Sequence, residues 1–325
     1  MNRRAAIAKA TVDTTVAAGG LLSPEQSAAF HRTIKDKGSL LSRMRQEVKT
    51  APSGEINKLT TGARLIRAAT ENADDGYRAG ASFPTVPYQS VKIRLPWEVT
   101  EDVFHENIEG QQLEADLTDE FTTQFSLDLE DLAINGDTAA GAGADQAFLQ
   151  IDNGLLKLIA TANVAGRNID GSTINAGAID KAHYFEAMYA MPNKYRNQGA
   201  AVWIMSPNRA ISWWESLTDR TTASGDSLLA GLAGQGAPGD GAAKGPLGVP
   251  ILTVPAMPDD TILLANPRNF VRIVTWDVRK RKVTGETDSE LALKDKRLYV
   301  FFVKQDTIVE EYDAVVRVHS LAAIA

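Results

Sequence analysis

Residues 91–137 read VKIRLPWEVTEDVFHENIEGQQLEADLTDEFTTQFSLDLEDLAINGD. The opening VKIRLPWEVTED reads as a strand. From Gln112 to Ile134 the apolar residues Leu113, Leu117, Phe121, Phe125, Leu129 and Leu132 recur at steps of four, four, four, four and three. That spacing draws one stripe along an α-helix. A helix of this length spans ~35 Å. Asn135-Gly136-Asp137 stops it. Asp116, Asp119 and Glu130 fall opposite the stripe, and Glu120 and Asp131 on its flank. Asp128 falls inside the stripe. Either the helix curves and Asp128 reaches water, or a buried carboxylate is paired with an Arg, since an unpaired one is costly.

Charge is distributed unevenly around this helix. Residues 95–156 hold 15 Asp or Glu and no Lys or Arg. The preceding 94 residues hold 15 basic and 8 acidic residues, and those from Lys157 onward hold 19 and 18. A chain polarised in this way has a reason to meet copies of itself, basic arm on acidic spine. The candidate donors are Arg43, Arg45, Lys49, Arg64 and Arg67. The candidate acceptors are Asp116, Asp119, Glu120, Glu130 and Asp131.

At 325 residues the length suggests two domains. Hydrophobic content of 44% and charged content of 23% are those of a soluble globular protein. There is no Cys, which excludes disulfides, thiolate nucleophiles and cysteine metal sites. The N-terminus is basic at first, but no apolar run follows it, so a signal peptide is not expected. No stretch approaches the ~18 apolar residues of a membrane span.

The first 20 residues show little pattern and read as a mobile tail. Ser23-Pro24-Glu25-Gln26 marks a helix start, running to Lys37 and stopped by Gly38. Leu40, Leu41, Met44 and Val48 follow at helical spacing. This segment reads as an arm and not a core. Residues 52–94 read as a long hairpin with its tip in ENADDGYRAGAS. It has few core residues and is marginal alone, so it is expected to lie on something else. After Asp137, mixed helices and strands to residue 265 indicate an α+β unit. In it AVWIMSP is a strand, and Trp213-Trp214 belongs to the core. GLAGQGAPGDGAAKGPLG, residues 231–248, reads as an exposed flexible loop. FVRIVTWDVRKRKV and KRLYVFFVKQDTIVEEYDAVVRV read as an antiparallel pair of long strands joined through 284–294.

Catalytic signatures are missing. His31, His105, His183 and His319 are scattered, and His105-Glu106 lacks the second His of a zinc helix. Lys244 follows Ala243, so the glycine-rich loop is not a phosphate loop. No GxSxG occurs, and no carboxylate pair stands out. No catalytic, cofactor-binding or metal residue is expected. In Arg279-Lys280-Arg281-Lys282 side chains on a strand alternate faces, two each way. An exposed or intersubunit strand is expected there ahead of direct DNA binding.

The order of basic arm, extended hairpin, strand PWEVTED, acidic spine helix ending in NGD, α+β middle and long terminal strands resembles the major capsid protein of tailed bacteriophages, with the Hong Kong 97-type fold. WIMSPNRAISWWESLTD at 203–219 and PLGVPILTVPAMPDDTILLANPRNFVRIV at 246–274 add to the resemblance. It implies an α+β capsid fold: N-terminal tail and N-arm (1–51), extended loop (52–94), peripheral domain (95–137 and 266–325) and axial domain (138–265). It implies no enzyme and no cofactor. It implies hexamers and pentamers of an icosahedral shell, virion localisation, and assembly in the host cytoplasm. Partners would be copies of the chain, a separate scaffolding protein, a portal, a decoration protein and packaged double-stranded DNA, with no membrane. Some members crosslink through a Lys of the extended loop; Lys58 alone does not make that pattern. The alternative is the shell of a cellular nanocompartment of the encapsulin type, packaging cargo enzymes. An enzyme of unknown substrate is a third class that no residue constellation supports.

Overall fold

The computed structural model describes residues 40–61, 65–68, 76–101, 112–143, 145–196, 201–218, 245–284 and 289–324. The helix expected from Ser23, the loop residues up to 244, and His31 and His105 lie outside them. The strands are β1 (Arg45–Val48), β2 (Ser53–Asn57), β3 (Thr60–Thr61), β4 (Ala81–Ser82), β5 (Thr85–Gln89), β6 (Val91–Thr100), β7 (Asn168–Asp170), β8 (Val202–Met205), β9 (Ile251–Thr253), β10 (Ile262–Ala265), β11 (Phe270–Val283), β12 (Lys296–Val309) and β13 (Val315–His319). The helices are α1 (Gln112–Asn135), α2 (Gln146–Leu149), α3 (Leu155–Ala162), α4 (Lys181–Ala190), α5 (Asn193–Arg196), α6 (Pro207–Thr218) and α7 (Ser289–Leu293).

One sheet has the order β1-β11-β12-β6. Strand β6 alternates as the pleat requires: Ile93, Leu95, Trp97 and Val99 turn inward while Lys92, Arg94, Pro96 and Glu98 are exposed. Helix α1 lays its stripe on the inward face. Phe125, Leu129 and Leu132 are buried and Phe121 is partly so. Trp97 is the hub. Its ring centroid lies 4.8 Å from Phe121, 5.2 Å from Tyr299 and 4.6 Å from Phe301. Such aromatic pairs add about 0.5–1.5 kcal/mol each beyond area burial. The helix ends at Gly136, as Asn-Gly-Asp predicts. A Cβ there would sit 2.3 Å from the Asp152 carbonyl and 2.7 Å from that of Leu132. Asp128 accepts from Gln124 Nε2 at 2.6 Å, one turn back along the helix. It is half-buried at the helix surface, so the Arg-paired alternative is not what forms.

Two expectations are corrected in this layer. Leu40 to Val48 does not continue at helical spacing: Leu40–Met44 turn, and β1 then runs parallel to β11, with Arg45 opposite Val271 and Val48 opposite Val274. Nor is this segment an arm apart from the core. Leu40, Leu41 and Met44 are buried with Phe125 and Leu129. The free edge of β11 supplies backbone hydrogen bonds, and the core supplies the apolar burial that a short segment lacks alone.

The hairpin is present, β2 pairing with β5 and β3 with β4. Ile56 and Tyr88 at its base are buried against Val271, Ile273 and Ile308 of the same chain's sheet. A second sheet has the order β7-β13-β10-β8-β9. All four residues of β8 are buried. Trp203, Tyr184 and Trp213 form its aromatic centre, and Trp214 is partly buried beside them. Strands β11 and β12 pair antiparallel over their length, as expected. The strands beyond residue 266 are divided between the two sheets. The long strand breaks after Val309, and β13 crosses to pair with β10 and β7 in the second sheet.

Candidate functional site

At the start of the acidic helix, Glu114 is answered from its own chain. Lys282 Nζ lies 2.8 Å from both carboxylate oxygens of Glu114, and Arg297 lies 3.3 Å from it. Lys280 donates to Thr118 Oγ1 at 2.8 Å. Arg297 also grips Glu101 through two guanidinium nitrogens. Partial burial alone would raise the Glu114 carboxyl. The Lys282 hydrogen bond and charge outweigh it and hold the group below the ordinary carboxylate value. Burial lowers the Lys280 ammonium, with Glu114 opposing that shift. At the far end Lys157 pairs with Asp137 at 2.9 Å.

The candidate contact residues separate into three groups. Arg45 pairs with Glu310 at 2.8 Å and Glu47 at 3.1 Å, and Lys49 with Glu47 at 3.1 Å, all within the chain. Arg67 stacks on Tyr77 across the hairpin, 3.9 Å from the ring centre. Asp131 accepts from Asn135 at 2.6 Å. Glu130 is a correction: it is 2% exposed, and its carboxylate accepts the Leu40 backbone N–H. Helical phase puts it opposite the stripe, but the 40–44 turn covers that side. Arg43, Asp119 and Glu120 are exposed. Arg64 and the side chain of Asp116 lie outside the described residues. Lys58 is tied down, donating to the Glu310 carbonyl and lying 3.6 Å from Glu311.

The basic run on β11 alternates as expected. Lys280 and Lys282 face α1. Arg279 and Arg281 face the other way, beside Trp276 and Phe302. Among the described residues no three His, Cys, Asp or Glu stand close enough to hold a metal ion. No helix among them is long and apolar enough to cross a membrane.

Residues 18–319 match the model of the "Phage capsid family". This chain belongs to the phage capsid family. A relative from Bacillus subtilis (strain 168), described as "Putative prophage capsid protein YqbE", is 25% identical over 94% of this chain and 94% of its own length. The satellite phage P4 procapsid gives a TM-score of 0.68 at 15% identity, covering 99% of this chain and 98% of that one. The holo-SrpI encapsulin complex from Synechococcus elongatus PCC 7942 gives 0.55 at 14%, covering 99% and 96%. The capsid fold is therefore of the Hong Kong 97 type, and the role of this capsid protein is structural. For a capsid subunit the functional residues lie on its outer faces. The sequence reading of this one missed two features: Glu130 as anchor of the N-terminal turn, and the cationic side of the sheet. The second was readable in β6, where Lys92 and Arg94 alternate with Val91, Ile93 and Leu95.

Proposed function

We propose that copies of this capsid protein assemble into hexamers and pentamers of an icosahedral shell that encloses phage double-stranded DNA. Assembly takes place in the host cytoplasm, with a separate scaffolding protein, a portal and a decoration protein. The four-stranded sheet with α1 corresponds to the peripheral domain, the five-stranded sheet to the axial domain, and the β2–β5 hairpin to the extended loop. The observation that carries the reading is this hairpin. It leaves the body of the subunit with Leu59 68%, Ile66 96% and Phe83 67% exposed, so a neighbour has to cover them. Arg43 and Arg67 as donors, with Asp119 and Glu120 as acceptors, are proposed as one charged contact between copies.

Negative-stain microscopy of the purified protein is the test. Closed particles are expected, and a stable monomer at all concentrations would refute the shell. The likeness to the encapsulin supports a second reading, a nanocompartment. Nucleic acid inside particles from infected or induced cells supports the phage shell; an enzyme cargo without nucleic acid supports the nanocompartment.

A further inference from the structure

A cavity of about 680 Å³ opens where the turn before β1 meets the start of β8 and the turn between β10 and β11. Met44, Val202 and Pro267 line it with apolar surface, and each is buried. Arg43, Arg45 and Arg268 stand around them. Local geometry sets both walls. On one side the Arg43 and Met44 N–H groups donate to the Leu40 carbonyl at 2.9 and 3.1 Å. That turn sends Met44 into the core and leaves Arg43 exposed. On the other side the Asn266 side chain accepts from the Arg268 N–H at 3.0 Å and caps a short 3₁₀ turn, Pro267–Asn269. Pro267 is buried there and Arg268 is exposed.

The three guanidinium groups differ in what already holds them. Arg45 is shared between Glu310 at 2.8 Å and Glu47 at 3.1 Å. Among the described residues neither Arg43 nor Arg268 forms an ion pair. The groove therefore keeps two unanswered positive charges beside an apolar floor. A guanidinium fork recognises a carboxylate or a phosphate through paired N–H donors. The floor decides between them. Among the described residues no aromatic side chain lines the groove, so a nucleic-acid base finds no ring to stack on. Met44, Val202 and Pro267 offer the burial that an aliphatic side chain gains from. The volume suits a few residues of peptide.

We propose that this groove docks a short acidic segment of a separate protein, with its carboxylates on Arg43 and Arg268 and an aliphatic side chain on the floor between them. The spine of a second copy fits less well. Its exposed acids Asp119 and Glu120 have no large exposed apolar side chain beside them among the described residues, Leu127 being two turns further along. Arg43 is also offered to those acids in the shell, so the two uses are alternatives and the groove is open on the unassembled subunit. That ordering rests on the shell reading; the docking site does not.

Fluorescence anisotropy of a fluorescein-labelled peptide, Glu-Asp-Leu-Asp-Glu, titrated with dilute, unassembled full-length protein at low salt is the test. Saturable binding is expected. Arg43→Ala with Arg268→Ala should weaken it at least about tenfold with an unchanged circular dichroism spectrum. Arg279→Ala with Arg281→Ala removes the same charge elsewhere and should leave it unchanged. Gly in place of the peptide's Leu should weaken it as well. Arg43→Glu with Arg268→Glu should bind Lys-Lys-Leu-Lys-Lys instead. No binding by the wild-type chain, or equal losses in the two Ala pairs, would overturn the proposal. Binding of an oligonucleotide duplex that depends on Arg43 and Arg268, with none of the peptide, would overturn it in favour of nucleic acid. The readout needs no particles, so it succeeds or fails independently of shell formation.

Discussion

One buried and one half-buried carboxylate show how single residues set conditions for the subunit. Glu130 holds the Leu40 N–H inside the core. Removing the acceptor strands a buried donor, so Glu130→Ala should cost about 1–3 kcal/mol in urea unfolding. It should also speed protease cleavage near residues 40–44, while Glu130→Gln, which keeps an acceptor, should cost less. Equal effects of the two would show that the bond to Leu40 is unimportant. Asp152 works in the opposite sense. Burial, then the nearby charge of Asp306, pushes its carboxyl up to about 7 from the ordinary 3.8. A raised folded pKa means that the folded state holds the proton more tightly than the unfolded chain. This residue's effect therefore favours folding most at acid pH and is lost as pH rises from 3.8 toward about 7. Asp152→Asn should stabilise unassembled subunits by on the order of 2 kcal/mol at pH ~8 and by almost nothing near pH ~4. A gain independent of pH would contradict the assignment.

The spine helix is the element on which the rest is built, and its two ends are controlled differently. Its N-terminal part is held by Lys280, Lys282 and Arg297, contributed by strands far away in sequence. Its C-terminal end is fixed by local sterics. The Gly136 N–H closes on the Leu132 carbonyl at 3.0 Å, and the Gly154 N–H bonds the Gly136 carbonyl at 2.8 Å. Gly136→Ala would drive a methyl into backbone on both sides, so it should destabilise by about 1–3 kcal/mol. Thermal unfolding of Gly136→Ala beside Gly141→Ala checks this, since a Cβ at Gly141 meets nothing within 4 Å. Equal melting temperatures for the two would remove the steric argument.

At the scale of the whole molecule, two sheets share a continuous core that runs from Trp97 and Phe301 to Ile204 and Leu263. The surface is divided by charge: α1 carries exposed acids, and the opposite side of the sheet carries cations. The glycine-rich run 231–248 is expected from its composition to stand apart from this core up to residue 244; its end does not, because Pro246 is buried and its carbonyl accepts from Trp203 Nε1 at 3.0 Å. A short tag inserted after Gly239 should leave folding and particle formation intact. Insoluble protein from that insertion, with the untagged chain soluble, would contradict the reading.

By itself the sequence determined the elements whose signal is local. The stripe from Leu117 to Leu132 gave the spine, Asn135-Gly136 gave its end, and the β-rich runs gave β11 and β12. Turn-formers between residues 71 and 82 gave the hairpin. The series of elements carried the family resemblance for the same reason: order along the chain is a sequence property. Only the tertiary structure decided which surfaces meet. Parallel pairing of β1 with β11, the crossing of β13 into the second sheet, and burial of Glu130 each depend on partners about 90 or more residues away or on a neighbouring sheet edge. Periodicity assigns a side chain to a face of its own element. It does not say what covers that face, and so it placed Glu130 in solvent and left Glu114 without its partners Lys282 and Arg297.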